Sequence, residues 1–205
     1  MKLPFTKAST IKLLYQLTYD FDRILDENDL EYWVDGGSLL GAVRHKGIIP
    51  IDDDVDVCLK YNDRKHFLAL KTQFEKCGYI LVKTWFGYKI CFKNRKNVEN
   101  EDYSFPNLDV FYYKKKNEQF IPAFKIVRDT WPKAFYEIAD VFPIRSTAFG
   151  SFNVSIPNNP KTYLTRLYGK DWNKVWYRQY DHSTDEQILS VKVNLTKSDR
   201  KPARP

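Results

Sequence analysis

The spacing of apolar residues along the chain predicts three longer helices. In residues 7–30 the apolar positions recur every three or four residues, as in an amphipathic helix of about six turns. A second helix is predicted from Asp63 to Cys77, and Gly78 is the signal that ends it. A third is predicted over residues 159–168, just before another glycine.

Other apolar runs alternate with polar residues, which is typical of strands. Strands are predicted, in chain order, over residues 32–34, 79–85, 88–92, 108–112, 118–127, 136–143 and 154–156. Gly87 joins the second and third of these as a hairpin. Residues 114–116 are three lysines and are expected to form a hairpin tip, and residues 146–153 are expected to form a turn.

Four aspartates fall within five positions of segment 47–59, GIIPIDDDVDVCL. The apolar positions of this segment are aliphatic and alternate, which predicts another strand. Because side chains alternate along a strand, Asp52, Asp54 and Asp56 should share one face and Asp53 should lie on the other. Three neighbouring carboxylates repel each other unless a cation lies among them, and oxygen ligands favour Mg²⁺ or Mn²⁺. Since magnesium sites usually include substrate phosphates, the segment predicts half of a phosphoryl-transfer site.

Two alternatives compete with this interpretation. An EF-hand calcium loop that starts at Asp52 needs Gly at its sixth position and Glu at its twelfth, where this chain has Val57 and Asp63. A solvated acidic strand at a sheet edge is the second alternative. An edge strand gives no reason for three carboxylates to fall in register, so the metal site is the favoured interpretation.

A glycine turn precedes the aspartates. Gly36, Gly37 and Ser38 lie between a predicted strand and a short predicted helix at residues 39–44. Glycines let the backbone approach a ligand closely, and the free amides of a helix start favour a phosphate. The alternative is a plain turn in which Ser38 caps the helix. Arg44 is a candidate for a bidentate contact with a phosphate. The alternative is that its positive charge only stabilises the C-terminal end of the helix.

Asp109 is the candidate fourth carboxylate, because it interrupts the apolar strand at residues 108–112. A lone acid is costly to bury unless a metal or the proton of an attacking hydroxyl is its partner. The alternative is an exposed strand position. Lys89 is a further candidate for a phosphate contact. Three aromatic residues are candidates for stacking on a base or sugar, with a place in the core as the alternative: Trp85, Tyr88 and Trp131.

The composition is that of a globular protein. The 205 residues are 43% hydrophobic and 29% charged, which is enough for one core and predicts a single domain. No apolar run approaches the roughly 18 residues of a membrane helix, and the N-terminus lacks a signal-peptide core, so a cytoplasmic location is expected. The three cysteines are expected to be reduced thiols, because their spacing fits neither a disulfide framework nor a metal site.

Charge and histidines add little to this picture. The net charge of +7 is dispersed apart from the lysine run and the C-terminal tail, and it gives no strong nucleic-acid signal. His45 is expected at the surface, and His66 and His182 lack the spacing of a zinc site.

The order of these motifs resembles the signature of the LicD/fukutin family, within the nucleotidyltransferase superfamily typified by DNA polymerase beta. The likeness is carried by DGGSLLG at residues 35–41, by Arg44, by IPIDDDVD at residues 49–56, and by LDVF at residues 108–111. It extends from residue 30 to residue 175, where YLTRLYGKDW at residues 163–172 resembles the C-terminal end of the family's domain. The resemblance implies an α+β fold with a mixed, nucleotidyltransferase-like sheet flanked by helices.

The family resemblance also implies an activity. Members transfer a phospho-alcohol, such as phosphocholine or ribitol phosphate, from a CDP-linked donor to a sugar or glycan hydroxyl with Mg²⁺. By the same resemblance, Asp54 and Asp56 match the superfamily's metal pair. Asp52 matches the family's additional acid, and Asp109 matches the acid of the later strand. The predicted donor-binding residues are Gly36, Gly37, Ser38, Arg44 and Lys89.

Three rival functions stay open on the sequence alone. A nucleotidyltransferase would use the same carboxylates to move the nucleotide itself. A sugar-transferring enzyme with a D-x-D motif usually has a longer nucleotide-binding region before that motif than this chain has. A catalytically inactive module that binds a nucleotide or glycan is the third.

The resemblance divides the chain into three parts. Residues 1–30 are expected to form a helix packed on the core, and residues 31–180 the catalytic domain. Residues 181–205 are expected to form a partly disordered extension.

Overall fold

The computed structural model describes residues 5–181 and 186–205, which form one α+β domain. A mixed sheet of seven strands lies at the centre of this described part, with strand order β1-β2-β5-β4-β3. β6 continues the sheet from β5, and β7 continues it from β6. The strands are β1 Tyr32–Val34, β2 Val55–Lys60, β3 Tyr79–Lys83, β4 Gly87–Phe92, β5 Asn107–Lys116, β6 Gln119–Pro122 and β7 Tyr136–Glu137.

Strand direction fixes which residues are neighbours. β2 and β5 run parallel, whereas the other paired strands of the sheet are antiparallel. Two hairpins lie outside the sheet: β8 Arg145–Phe149 with β9 Phe152–Ile156, and β10 Val175–Asp181 with β11 Glu186–Asn194.

The helices cover both faces of the sheet. They are α1 Ala8–Asp26, α2 Gly36–Arg44, α3 Arg64–Ala69, α4 Lys71–Lys76, α5 Lys125–Thr130, α6 Ile138–Val141 and α7 Pro160–Tyr168. Among the residues described, none of the helices combines the length and the apolarity that crossing a lipid bilayer requires.

The apolar stripe predicted for the first helix is buried in the structure. Phe21 of α1 contacts Phe67 of α3, and Phe67 contacts Tyr112 of β5 on one face of the sheet. Residues on the opposite face, including Trp33 and Tyr113, pack with aromatic residues of later segments. The central strands are therefore covered on both sides, and this burial supplies the hydrophobic stabilisation of the fold.

Several predicted elements are confirmed and others are wrong. The helix predicted at 159–168 is confirmed as α7. The first helix is confirmed but ends at Asp26 and not at residue 30. The β3–β4 hairpin also forms, but its turn lies at residues 84–86 because Gly87 already belongs to β4. The helix predicted over 63–77 breaks into α3 and α4 at Leu70, which still buries its side chain. The predicted strand at 118–127 is wrong beyond residue 122, because α5 follows it.

The second half of the chain holds further differences. The predicted strand at 136–143 continues only to residue 137, and α6 then begins. The predicted turn at 146–153 is too long, since it reduces to the tip of the β8–β9 hairpin. The three lysines at 114–116 are not a hairpin tip. They pair with β6, and the turn comes at residues 117–118.

The C-terminal tail contacts the domain where it is described. The amide of Ala203 donates to the carbonyl of Ile48 at 2.8 Å, and Tyr15 Oη donates to the carbonyl of Ala203 at 3.1 Å. Residues 182–185, which include His182 and part of the predicted extension, lie outside the described residues.

The prediction that His45 lies at the surface is wrong, because the C-terminal tail covers it. This side chain is 1% exposed, its Nε2 lies 3.0 Å from the carbonyl of Asp199, and its ring contacts Trp176. Burial, and then the positive charge of Arg44, lower the pKa of His45 to about 4. The cysteines Cys58, Cys77 and Cys91 are free thiols, as predicted.

Candidate active site

The aspartate run is arranged differently from the single strand that its alternation predicts. β2 begins at Val55, and the amide of Asp52 donates to the carbonyl of Ile49 at 2.8 Å, which closes a turn that contains Pro50. Asp52, Asp53 and Asp54 therefore precede the strand, and the predicted register of three acids on one strand face is wrong. The alternation of apolar residues cannot show where β2 begins, because it continues through the turn that precedes the strand.

The acids nevertheless come together in two overlapping clusters. Asp54, Asp56 and Asp109 each offer a carboxylate oxygen, and these oxygens lie within 4.8 Å of one another. Asp52, Asp53 and Asp54 form a second group under the same limit. Asp53, which was expected to point away from the others, is thus part of the acidic site.

Strand pairing explains how Asp109 joins the first cluster. β2 and β5 are parallel neighbours in which Asp56 pairs with Asp109, so both side chains lie on the same face of the sheet. Asp109 is 6% exposed. The alternative of an exposed strand position is therefore wrong, and the acid that interrupts this apolar strand lies beside two others.

Lys89 is the charge partner of Asp109. Its Nζ donates to Asp109 Oδ1 at 2.8 Å, to Asp109 Oδ2 at 2.9 Å and to Asn107 Oδ1 at 3.0 Å. Burial alone lowers the pKa of Lys89, but the charge and hydrogen bonds of Asp109 outweigh burial and the pKa is raised. Direct contact between Lys89 and a donor phosphate stays a prediction.

The cluster fits a divalent cation by its chemistry. Asp54, Asp56 and Asp109 place three negative charges close together in a mostly buried place, and a bound cation would lower their mutual repulsion. The donor set is oxygen alone, with no sulfur or imidazole, as Mg²⁺ and Mn²⁺ prefer. Asp54 and Asp56 are the better candidate ligands, because both oxygens of Asp109 already accept hydrogen bonds from Lys89.

The start of α2 lies against these carboxylates. α2 begins at Gly36, earlier than the predicted residue 39, and Gly36 has a φ of +50°, which favours glycine. A Cβ on Gly36 would lie 2.7 Å from Asp56 Oδ2, and a Cβ on Gly37 would lie 2.8 Å from Asp52 Oδ2. The glycines thus let the helix start approach the acids, which places its first amides beside the cluster.

Ser38 joins the helix to the strand. Its Oγ accepts a hydrogen bond from the amide of Asp56 at 2.9 Å. The residue that precedes the helix is Asp35, so the alternative of Ser38 as the helix cap is wrong. Ser38 therefore positions the backbone of a candidate metal ligand.

Asp35 is a buried acid that sequence reasoning missed. Its Oδ1 accepts from Tyr136 Oη at 2.5 Å, and its Oδ2 accepts from Tyr113 Oη at 3.1 Å and from Cys58 Sγ at 3.0 Å. Burial, and then the charge of Asp35, raise the pKa of both tyrosines and of the thiol. These donors fix the turn before α2, and the only sequence signal was an acid directly before two glycines.

Tyr168 is a second residue that was missed. Its hydroxyl lies 3.8 Å from the position of a Cβ on Gly36, at the C-terminal end of α7. Burial, followed by the negative charges of Asp56 and Asp52, raises the pKa of Tyr168 well above its usual value. A neutral hydroxyl therefore faces the acidic site.

Arg44 is held by the segment after α7. Its Nη1 donates to the carbonyls of Trp172, at 2.5 Å, and Val175, at 2.7 Å. Burial, followed by the charge of Arg200, lowers the pKa of Arg44 to about 10. Its Nε donates to His45 Nδ1 at 3.3 Å, so a contact with a phosphate has to use Nη2, and that role stays a prediction.

The sequence of this chain is similar to those of several known proteins. A 197-residue match to the uncharacterized protein RP689 of Rickettsia prowazekii is 36% identical and covers 94% of this chain and 69% of that protein. The human ribitol 5-phosphate transferase FKRP is 27% identical over 151 residues, with 71% of this chain but only 29% of that protein covered. The lipopolysaccharide cholinephosphotransferase LicD of Haemophilus influenzae is 40% identical over 48 residues, which are 23% of this chain and 18% of that protein.

The family match covers the whole acidic site. Residues 29–159 match the family described as LicD/FKTN/FKRP, nucleotidyltransferase domain. This range includes the glycine turn, the aspartate run, Lys89 and Asp109. The chain therefore belongs to the LicD/FKTN/FKRP family, and its sheet is the nucleotidyltransferase domain of that family.

Proposed function

We propose that this chain transfers a phospho-alcohol from a CDP-linked donor to a sugar hydroxyl of a glycan, with Mg²⁺ or Mn²⁺ at the acidic cluster. The observation that carries the proposal is the convergence of Asp54, Asp56 and Asp109 beside the glycine start of α2. The human relative is a ribitol 5-phosphate transferase, and the Haemophilus relative is a lipopolysaccharide cholinephosphotransferase. The chain spans less than a third of either relative, so the activity is inferred for this domain.

The residues have distinct roles in this proposal. Asp54 and Asp56 would hold the cation beside Asp109, with Asp52 as the additional acid. When bound, the cation neutralises charge that develops on the leaving nucleotide. The amides of Gly36, Gly37 and Ser38 donate to the donor phosphates, because a helix start favours anions. Arg44 and Lys89 add positive charge on either side of the acids.

The attacking hydroxyl needs a proton acceptor and a fixed position. A carboxylate of the cluster accepts its proton as the new phosphodiester bond forms. The neutral hydroxyl of Tyr168 is available as a hydrogen-bond donor at the edge of the cluster, where it orients a phosphate or the nucleophile. Lys89 fixes Asp109, so this carboxylate keeps its place when substrate is absent.

Transfer of the nucleotide itself is the second candidate, since the matched domain is described as a nucleotidyltransferase domain. Both reactions would use the same carboxylates. A CDP-alcohol donor with one label in the nucleotide and another in the alcohol separates them. The proposed reaction moves the alcohol label to the acceptor and releases labelled CMP, whereas nucleotidyl transfer moves the nucleotide label.

The test of the proposal is an activity assay with such donors. CDP-choline, CDP-ribitol and CDP-glycerol are each incubated with a glycan panel, with Mg²⁺ or with EDTA. Metal-dependent release of CMP and transfer of the alcohol are expected, and Asp54→Asn should lower the rate by several orders of magnitude while the protein stays folded. Full activity of Asp54→Asn, or none of the wild type with any donor, contradicts the proposal. The second result also favours an inactive binding module.

A further inference from the structure

Two exposed tryptophans lie next to each other on the surface. Trp85, between β3 and β4, is 48% exposed, and Trp131, just after α5, is 40% exposed. Their rings are stacked, with centroids 5.4 Å apart and planes 22° apart. Exposed aromatic side chains that lie together form a candidate binding surface, unlike apolar residues that are scattered singly. We call this pair the tryptophan platform.

A continuous aromatic wall connects the platform with the acidic cluster. The ring of Phe86 contacts Trp85 at 5.3 Å and stacks on Phe111 at 4.6 Å, and Phe111 contacts Trp131 at 5.9 Å. Phe111 is two residues after Asp109 on β5, so both point to the same face about 7 Å apart along the strand. The Nζ of Lys89 lies 5.5 Å from the centroid of the Phe86 ring.

The platform lies on the opposite side of the cluster from the glycine turn. Gly36 and Gly37 approach Asp56 and Asp52, at the β2 side of the site. Lys89 and the β3–β4 hairpin lie at the other side, because β5 and then β4 follow β2 across the sheet. If the start of α2 holds the donor phosphates, the platform lies on the side of the cluster that remains for the acceptor.

A polar cavity adjoins the platform. It has a volume of about 370 Å³, and Trp131 is one of its walls. Other walls carry hydrogen-bonding side chains, namely Lys116, Asn117 and Gln119. An aromatic face beside a polar recess of this size suits a polyhydroxylated ring, whose C–H face packs on the indole while its hydroxyls bond to polar groups. A quaternary ammonium group suits it less, because Lys116 and Arg128 add positive charge to the recess.

We propose that Trp85 and Trp131 form a subsite that binds a sugar ring of the acceptor glycan and delivers its hydroxyl to the acidic cluster. This inference rests on the proposed function, since it assumes that the donor phosphates occupy the start of α2. The subsite determines which acceptors are used and leaves binding of the donor to the other side of the cluster.

The test measures glycan binding and donor binding separately. The labelled 205-residue chain is applied to a glycan array, and the double variant Trp85→Ala/Trp131→Ala is compared with Tyr19→Ala. Tyr19 is the matched control, because it is an aromatic residue of α1 that is 49% exposed and packs on Phe152 away from the site. The second measurement is the thermal shift that CDP with Mg²⁺ causes in each protein.

The wild type and Tyr19→Ala should bind ring-containing glycans, and the double variant should bind them about tenfold or more weakly. The double variant Trp85→Phe/Trp131→Phe, which keeps an aromatic face, should retain a larger part of the binding and guards against a folding defect. The shift with CDP and Mg²⁺ should be the same in the wild type and the alanine variant.

Three results overturn the subsite: no glycan bound by the wild type, undiminished binding by the alanine variant, or a loss of the CDP shift in that variant. The last result would assign the tryptophans to the nucleobase of the donor. Glycan binding that depends on the tryptophans, in a wild type without any CDP shift, supports the subsite and counts against the proposed function instead.

Discussion

The buried pair of Lys89 and Asp109 makes the sharpest prediction about stability. Their side chains are each 8% exposed, and both oxygens of Asp109 accept from Nζ. Lys89→Met removes the cation that Asp109 contacts, while Asp54 and Asp56 stay close to Asp109. Removing one partner of a buried ion pair costs about 3–5 kcal/mol, so the free energy of unfolding should fall by that amount when no metal is present.

The cost should be asymmetric between the two partners. Asp109→Asn leaves Lys89 with the oxygen of Asn107 and with the negative charges of Asp54 and Asp56, which also raise the pKa of Lys89. Its cost should therefore be nearer to about 1–3 kcal/mol. The double variant Lys89→Met/Asp109→Leu should be more stable than Lys89→Met alone, because neither charge is left buried.

Urea unfolding at pH 7 in EDTA and in excess Mg²⁺ measures these effects. Mg²⁺ should stabilise Lys89→Met more than the wild type, because the cation replaces the missing ammonium. Lys125→Met is the control, since its ion pair with Asp129 is exposed and should contribute less than about 1 kcal/mol. A loss below about 1 kcal/mol for Lys89→Met in EDTA, or an equal effect of Mg²⁺ on both proteins, would refute the reasoning.

Three further predictions concern the surroundings of the cluster. Gly36→Ala should destabilise the protein by about 1–2 kcal/mol and lower transfer activity, because its Cβ meets Asp56 Oδ2 at a positive φ; unchanged activity would contradict this. Asp35→Asn should cost about 1–3 kcal/mol in denaturant unfolding, since an amide NH₂ would face the donor Tyr136 Oη; an equally stable variant would contradict this. Because the unfolded chain protonates His45 near pH 6.5 and the folded chain near pH 4, stability should be full above pH 6.5. It should fall on acidification, by on the order of 3 kcal/mol at pH 4; unfolding curves of His45→Gln should lack this part of the pH dependence.

Much of the sheet could be predicted from the sequence because its signals are local. Alternating aliphatic residues identified β2 and β5, and three- and four-residue spacing identified α1. The turn at residues 49–52 could not be predicted in this way, because apolar alternation continues through it. The strand predicted over residues 118–127 ends at residue 122, and residues 125–127 belong to α5 although Ile126 and Val127 are β-branched, a residue type enriched in strands.

The sequence predicted that Asp54, Asp56 and Asp109 belong to one site, but it did not predict the side chains that contact them. Asp54, Asp56 and Asp109 were identified because a carboxylate in an apolar segment is costly to bury without a charged or hydrogen-bonding partner. Lys89 was expected to contact a phosphate, and only strand pairing shows that its partner is Asp109. Asp35, Tyr168 and the burial of His45 depend on contacts between distant segments, which leave no local pattern in a single sequence.

Mn²⁺ binding followed by electron paramagnetic resonance, with and without CDP, tests the central claim most directly. Asp56 belongs only to the cluster with Asp109, whereas Asp53 belongs only to the cluster with Asp52. We expect Asp56→Asn to weaken Mn²⁺ binding by about 100-fold or more, Asp53→Asn to retain it, and CDP to strengthen it in the wild type. Undiminished Mn²⁺ binding by Asp56→Asn, or its loss in Asp53→Asn alone, would contradict the proposed metal site.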